Sequence, residues 1–139
     1  STTMELDAIG TYIGSSFTYS TPRDMARFGL FCMQDGVWNG ERILPEDWMK
    51  YSTTPTAHVP MNEYGAQFWL NVGDKDDPKN RRWPSLPHDA YGLSGFQGQS
   101  VVIIPSHDAV IVRLGLTEDY TAWSQDEFMG LVLKALPKK

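Results

Sequence analysis

The strongest constraint on this chain lies in residues 91–115, YGLSGFQGQSVVIIPSHDAVIVRLG. Two runs of β-branched apolar residues, QSVVIIP and AVIVRLG, flank Ser106-His107-Asp108. β-Branched side chains lose rotamer freedom in helices and pack well on a pleated surface, so each run is expected as a strand. A connection this short makes the two strands an antiparallel hairpin. Immediately before them, glycines at 92, 95 and 98 surround Ser94.

The rest of the chain must cover that hairpin. Thr21-Pro22-Arg23-Asp24 reads as a helix start, with Thr21 as N-cap, Pro22 at the first helical position and Asp24 as the capping-box acid. Met25, Phe28 and Cys32, or Met25, Gly29 and Cys32, then fall at helical spacing, with Leu30 and Met33 widening the face. Gly36 suits a left-handed helix end. Asn39-Gly40 predicts a type I′ turn within 37–44, and PEDWMKY (45–51) a short helix with Pro45 in its first turn. YGAQFWLNV (64–72) reads as a strand with Phe68, Leu70 and Val72 on one face. Near the C-terminus, Ser124 and Glu127 form a capping box ahead of an apolar face of Phe128, Leu131, Val132, Ala135 and Leu136. Residues 1–20 show no sustained period, and 73–90, with three prolines, reads as a long loop that is either functional or disordered. The expected fold class is α+β, an antiparallel sheet flanked by helices.

Charge and composition exclude several functions. Twelve basic against seventeen acidic residues give a net charge of −5, which argues against nucleic acid or an anionic membrane as partner. No run approaches the roughly 18 apolar residues of a membrane span. Cys32 is the single cysteine and sits in an apolar run, so a buried structural thiol is expected and a Cys-based metal site is not. His58, His88 and His107 lack ligand spacing and read as surface or loop histidines. No metal or other cofactor is expected.

YGLSGFQGQS (91–100) admits three chemistries. Its glycines fit neither the dinucleotide fingerprint nor the phosphate loop, and a strand follows where an anion site needs a helix N-terminus. GLSGF departs from the serine elbow because its second glycine comes one residue early and no helix follows. A glycine-rich strand edge that lets a ligand lie on the backbone remains, and so does a plain bulge.

GSSFTYSTPRDMARFGLFCMQDGVWNGERILPEDW, YGAQFWLN and YGLSGFQGQSVVIIPSHDAVIVRLG together resemble the C-terminal part of the serine β-lactamase and penicillin-binding-protein-like family. The likeness covers nearly the whole chain. It is nearest the class C-like branch, with the family VIII esterases and the 6-aminohexanoate oligomer hydrolases. That family uses a Ser-x-x-Lys nucleophile, a Tyr-x-Asn/Ser shuttle and a Lys/His-x-Gly on the edge strand. The first two are absent here, so the resemblance implies a single partial domain, 1–139, that is inert alone. The third falls on Ala90-Tyr91-Gly92, with alanine in place of the cation. The resemblance further implies that Leu93 donates its backbone N–H to an oxyanion hole beside Gly92. Ala90 and Tyr91 would contact substrate, and Ser15, Ser16 and Phe17 would form the pocket rim. It implies a small ester or amide substrate for a bacterial cytoplasmic or periplasmic enzyme, and self-association of the isolated piece. The alternative is a non-catalytic binding or assembly module, or a pseudoenzyme, derived from the same fold.

Overall fold

A computed structural model describes residues 1–14, 16–77 and 79–137. Strands β1 (Thr2–Met4) and β2 (Thr18–Ser20) pair in a separate antiparallel ribbon. Helix α1 (Pro22–Met33) follows, then the hairpin β3 (Val37–Trp38) and β4 (Glu41–Arg42), and helix α2 (Trp48–Ser52). The main sheet contains β5 (Trp69–Leu70), β6 (Tyr91–Ser94), β7 (Ser100–Ile104) and β8 (Ala109–Arg113), antiparallel and in that spatial order. Helix α3 (Gln125–Ala135) completes the α+β fold.

The caps form where the side chains call for them. Thr21 Oγ1 accepts the Asp24 amide at 3.1 Å, and Ser124 Oγ accepts that of Glu127 at 3.2 Å. Asn39 (φ 50°) and Gly40 (φ 83°) both take the left-handed conformation that a type I′ turn requires. The second helix is shorter than expected. It begins at Trp48, because Asp47 is left-handed (φ 63°) and breaks continuity with Pro45.

The sheet is buried on both faces. One face, with Tyr91, Val101 and Ile103, packs against Cys32, Met49, Phe68 and Leu70. The other, with Ala90, Val102, Ile104 and Ile111, packs against Trp83, Leu86 and Met129. This alternation is the period-2 geometry of a strand, and VVII can be apolar throughout because each face has a cover. On α1 the inward set is Met25, Gly29 and Cys32, while Phe28 is turned outward. Gly29 permits the close approach: a Cβ there would lie 2.5 Å from Val110 Cγ1.

Three expectations need correction. On α3 the inward face is Met129, Val132 and Leu133, whereas Leu131 is 65% exposed and Phe128 packs at a tilt against Trp123. Val72 is turned outward, and the polar Asn71 beside it is fully buried. Residues 73–90 are only partly an outer loop. Trp83 and Leu86 plug the core, drawn in by Asn71, whose Nδ2 donates to the carbonyls of Trp83 (2.9 Å), Leu86 (3.2 Å) and Pro87 (2.8 Å). Its Oδ1 accepts the Trp83 amide at 2.7 Å. One buried amide thus bonds four backbone groups. The three carbonyls each accept a second donor, and the Trp83 amide has Asn71 alone, so an apolar residue would leave that amide unpaired.

Candidate functional site

Strand β6 was expected at a sheet edge, but it lies between β5 and β7. The cover from β5 is short. Trp69 pairs with Gly92 and Leu70 with Tyr91, and there the pairing stops. The reason is local: Gln67 takes φ 70°, and Gly65 N–H closes onto Phe68 O at 2.9 Å, turning the chain away. Beyond Gly92, therefore, one side of β6 is open.

Ladder alternation decides which backbone groups face that side. Asn71 N–H donates to Ala90 O at 3.0 Å, so Ala90 faces β5. Gly95 N–H donates to Gln99 O at 2.7 Å, so Gly95 faces the β7 side. Backbone groups alternate along an antiparallel strand. Leu93 is therefore directed toward its partner Val101, and Ser94 toward the open side.

The side chains named by the resemblance sit differently from one another. Ala90 (2% exposed) and Tyr91 (7%) are core residues, Tyr91 edge-on to Phe68 with ring centroids 5.5 Å apart. Burial pushes the Tyr91 phenol well above its ordinary range, so it stays neutral and moves no proton near neutral pH. A Cβ at Gly92 would run into the Val101 carbonyl, which explains the glycine by close strand packing. Ser16 and Phe17 are exposed and lie in the connection before β2, outside the main sheet; Phe17 is left-handed (φ 61°). Ser15 lies outside the described residues. Among the described residues no strand pairing joins β2, which follows Ser16 and Phe17, to β6.

The glycine spacing marked the stretch after β6 but not the geometry of its turn. Phe96–Gly98 form a short 3₁₀ turn in which Gln97 is left-handed (φ 53°, ψ 40°), followed by Gly98 at φ 77°. The amides of Phe96 and Gln97 open this turn, and no acceptor among the described residues takes them. Phe96 is 76% exposed beside them. The only sequence signal was the glycine spacing.

Another set resembles nucleophile chemistry and lies elsewhere, on the β7–β8 turn. Ser106 Oγ lies 2.9 Å from Asp89 Oδ1 and 3.0 Å from His107 Nδ1. In a catalytic triad the histidine stands between serine and acid. Here the serine stands between them and gives its one proton to Asp89, which also accepts the Ser106 amide at 2.6 Å. This arrangement caps the turn. Burial pushes the Cys32 thiol up to about 12, so it is protonated and unreactive near neutral pH. Among the described residues no group of three or more His, Cys, Asp or Glu is placed to hold a metal ion, and no helix is long and apolar enough to cross a membrane.

No family model matches the chain. It is 28% identical over 98 residues to an uncharacterised protein of Alkalihalophilus pseudofirmus, covering 68% of this chain and 29% of that protein. It is 25% identical over 119 residues to the 6-aminohexanoate-dimer hydrolase of Paenarthrobacter ureafaciens, covering 84% of this chain and 29% of the hydrolase. A putative 6-aminohexanoate-dimer hydrolase from Bacillus anthracis superposes with a TM-score of 0.61 at 24% identity, over 95% of this chain and 34% of that one. The chain spans about a third of the length of these proteins. By distant sequence likeness the chain is hydrolase-like in origin, and its α+β fold is shared with about a third of a protein named as a hydrolase.

Proposed function

We propose that this chain is the C-terminal portion of a β-lactamase-like serine hydrolase that cleaves an ester or amide through an acyl-enzyme. The open end of β6 carries the reading: a short β5 exposes the Ser94 backbone, and the next turn adds two unpartnered amides. In the complete enzyme a serine outside residues 1–139 attacks the substrate carbonyl. Its Oγ bonds to carbon, the alcohol or amine leaves with a proton, and water then cleaves the acyl-enzyme. Backbone amides aimed at the carbonyl oxygen stabilise the charge that develops there. We assign that task to the backbone amides of Ser94, Phe96 and Gln97 in place of Leu93, because alternation turns Leu93 into the sheet and Gly95 donates to Gln99. Gly92 serves by letting β6 and β7 pack closely.

Ala90 offers no cation, and its burial leaves no room for one. Substrates lacking a carboxylate at that position fit best, such as simple esters or the amide that the similar Paenarthrobacter hydrolase is named for. Fluorophosphonate labelling tests the reading. The 139-residue chain should take no label, and the protein of the full reading frame should be labelled once, at a serine within Ser-x-x-Lys. Stoichiometric labelling of a serine within 1–139 would sink the proposal. A full reading frame without an upstream Ser-x-x-Lys favours the second reading, a non-catalytic module. That reading draws on the burial of Ala90 and Tyr91, which leaves β6 without an acid–base side chain.

We also propose that the isolated chain self-associates. Among the described residues alternation leaves the backbone of Val110 and Val112 unpaired at the outer edge of β8, and such edges template pairing. Sedimentation velocity should show concentration-dependent association; a monomer at all concentrations would refute it.

A further inference from the structure

The turn after β6 is held from behind by one side chain. Arg113 ends β8, and its Nη1 donates to Gly98 O at 3.0 Å while its Nη2 donates to Thr117 Oγ1 at 2.7 Å. Its guanidinium lies 3.9 Å from the centre of the Trp123 ring. Thr117, only 7% exposed, returns its own amide to Gln97 O at 3.0 Å. Both carbonyls of the left-handed pair Gln97-Gly98 are therefore drawn toward the 113–117 segment.

The conformation needs such a clamp. A non-glycine residue such as Gln97 is strained in the left-handed region and stays there only where its surroundings hold it. Gly98 adds no strain, but its place is fitted to the clamp: a Cβ there would lie 3.1 Å from Arg113 Nη1 and 3.3 Å from Thr117 Oγ1. Helical Phe96 followed by left-handed Gln97 turns successive amides to one side, the concave arrangement that receives an anionic oxygen.

We propose that Arg113 is a positioning residue that fixes the 95–99 turn, and with it the outward amides of Phe96 and Gln97. The catalytic part of this assignment rests on the hydrolase reading above; the clamp itself does not. A lysine cannot replace Arg113, because a single ammonium cannot bond Gly98 and Thr117 as a planar fork while stacking on Trp123.

Amide exchange on the 139-residue chain tests the clamp directly. In Arg113→Lys the Thr117 amide should exchange at least tenfold faster, while Val101 and Val102 in β7 stay protected as in the parent. Thr117→Val, which removes only the acceptor oxygen, should loosen Gly98 and Thr117 in the same way, and Thr117→Ser should restore protection. Unchanged exchange at Thr117 in both Arg113→Lys and Thr117→Val would overturn the clamp. In the protein of the full reading frame, Arg113→Lys should lower kcat at least tenfold with KM within twofold, since the amides act on charge that develops during reaction. A loss confined to KM, or none, would overturn the positioning role. A parent protein without turnover would instead overturn the hydrolase reading, and the exchange measurement would then decide the clamp alone.

Discussion

The four-stranded sheet and the N-terminal ribbon are both antiparallel β-structure, yet they are stabilised in opposite ways. In the sheet, Val101, Val102, Ile103 and Ile104 are buried by layers on both faces. In and around the ribbon, Met4, Leu6, Ile9, Tyr12, Phe17 and Tyr19 are exposed, Ile9 at 86%. A lone two-stranded hairpin is marginal in water. Pairing therefore forms a strand in both regions, but only cover makes the strand independent. The ribbon's apolar side chains are what a piece presents when its cover comes from elsewhere, in line with the proposed partial domain.

The sharpest way to break this comparison is to uncover one face of the sheet. Asn71→Ala removes four hydrogen bonds that tie Trp83, Leu86 and Pro87 to the core. The Trp83 amide loses its only partner and three carbonyls lose one of two donors, so a loss of about 2–4 kcal/mol is expected by urea denaturation. A loss under about 1 kcal/mol would mean that the 83–87 segment does not cover the sheet. Next comes Gly92→Ala, whose Cβ meets the backbone oxygen of Val101 and has no side chain to push aside. A cost of about 2–3 kcal/mol is expected, without loss of secondary structure by circular dichroism.

Alkaline pH probes the same burial. Cys32 is raised from an ordinary 9.0 to about 12, so the unfolded thiol ionises first. Its contribution is complete below pH 9 and lost as pH rises from there toward 12. The loss should reach about 2 kcal/mol by pH 10.5, at ~1.4 kcal/mol per unit. The raised Tyr91 adds to it above pH 10. Cys32→Ala should flatten the fall of the urea midpoint between pH 8.5 and 10.5; an unchanged slope would assign the loss to other groups. The smallest effect is expected from deleting residues 1–20. The sheet should keep its stability to within about 0.5 kcal/mol, because the deleted apolar groups are solvent-exposed. A larger loss would show that the ribbon does support the sheet.

Legibility in the sequence followed how local each determinant is. Thr21 and Ser124 as caps, Asn39-Gly40 as a turn, and the β7–β8 hairpin were readable because a few neighbouring residues decide them. The ribbon was missed because its strands are three residues each, too short for a period to show. The inward face of α3 was read one residue out of phase, since Phe128 prefers Trp123 to the core and nothing local says so. At the candidate site the glycines marked the right stretch, but neither the open end of β6 nor the clamp on its turn could be read. The first depends on where Gln67 turns a strand 27 residues earlier. The second depends on Arg113, which looked like no more than the end of an apolar run.

The sequence by itself determined the α+β class, the caps and the one obligate hairpin, because steric preference and hydrogen bonding over a few residues settle those. Tertiary structure decided which apolar side chains find cover, that Ala90 and Tyr91 are core, and which amides remain unpaired. Those outcomes depend on residues far apart in the chain competing for the same face of a sheet or the same carbonyl, and only the assembled fold brings the competitors together.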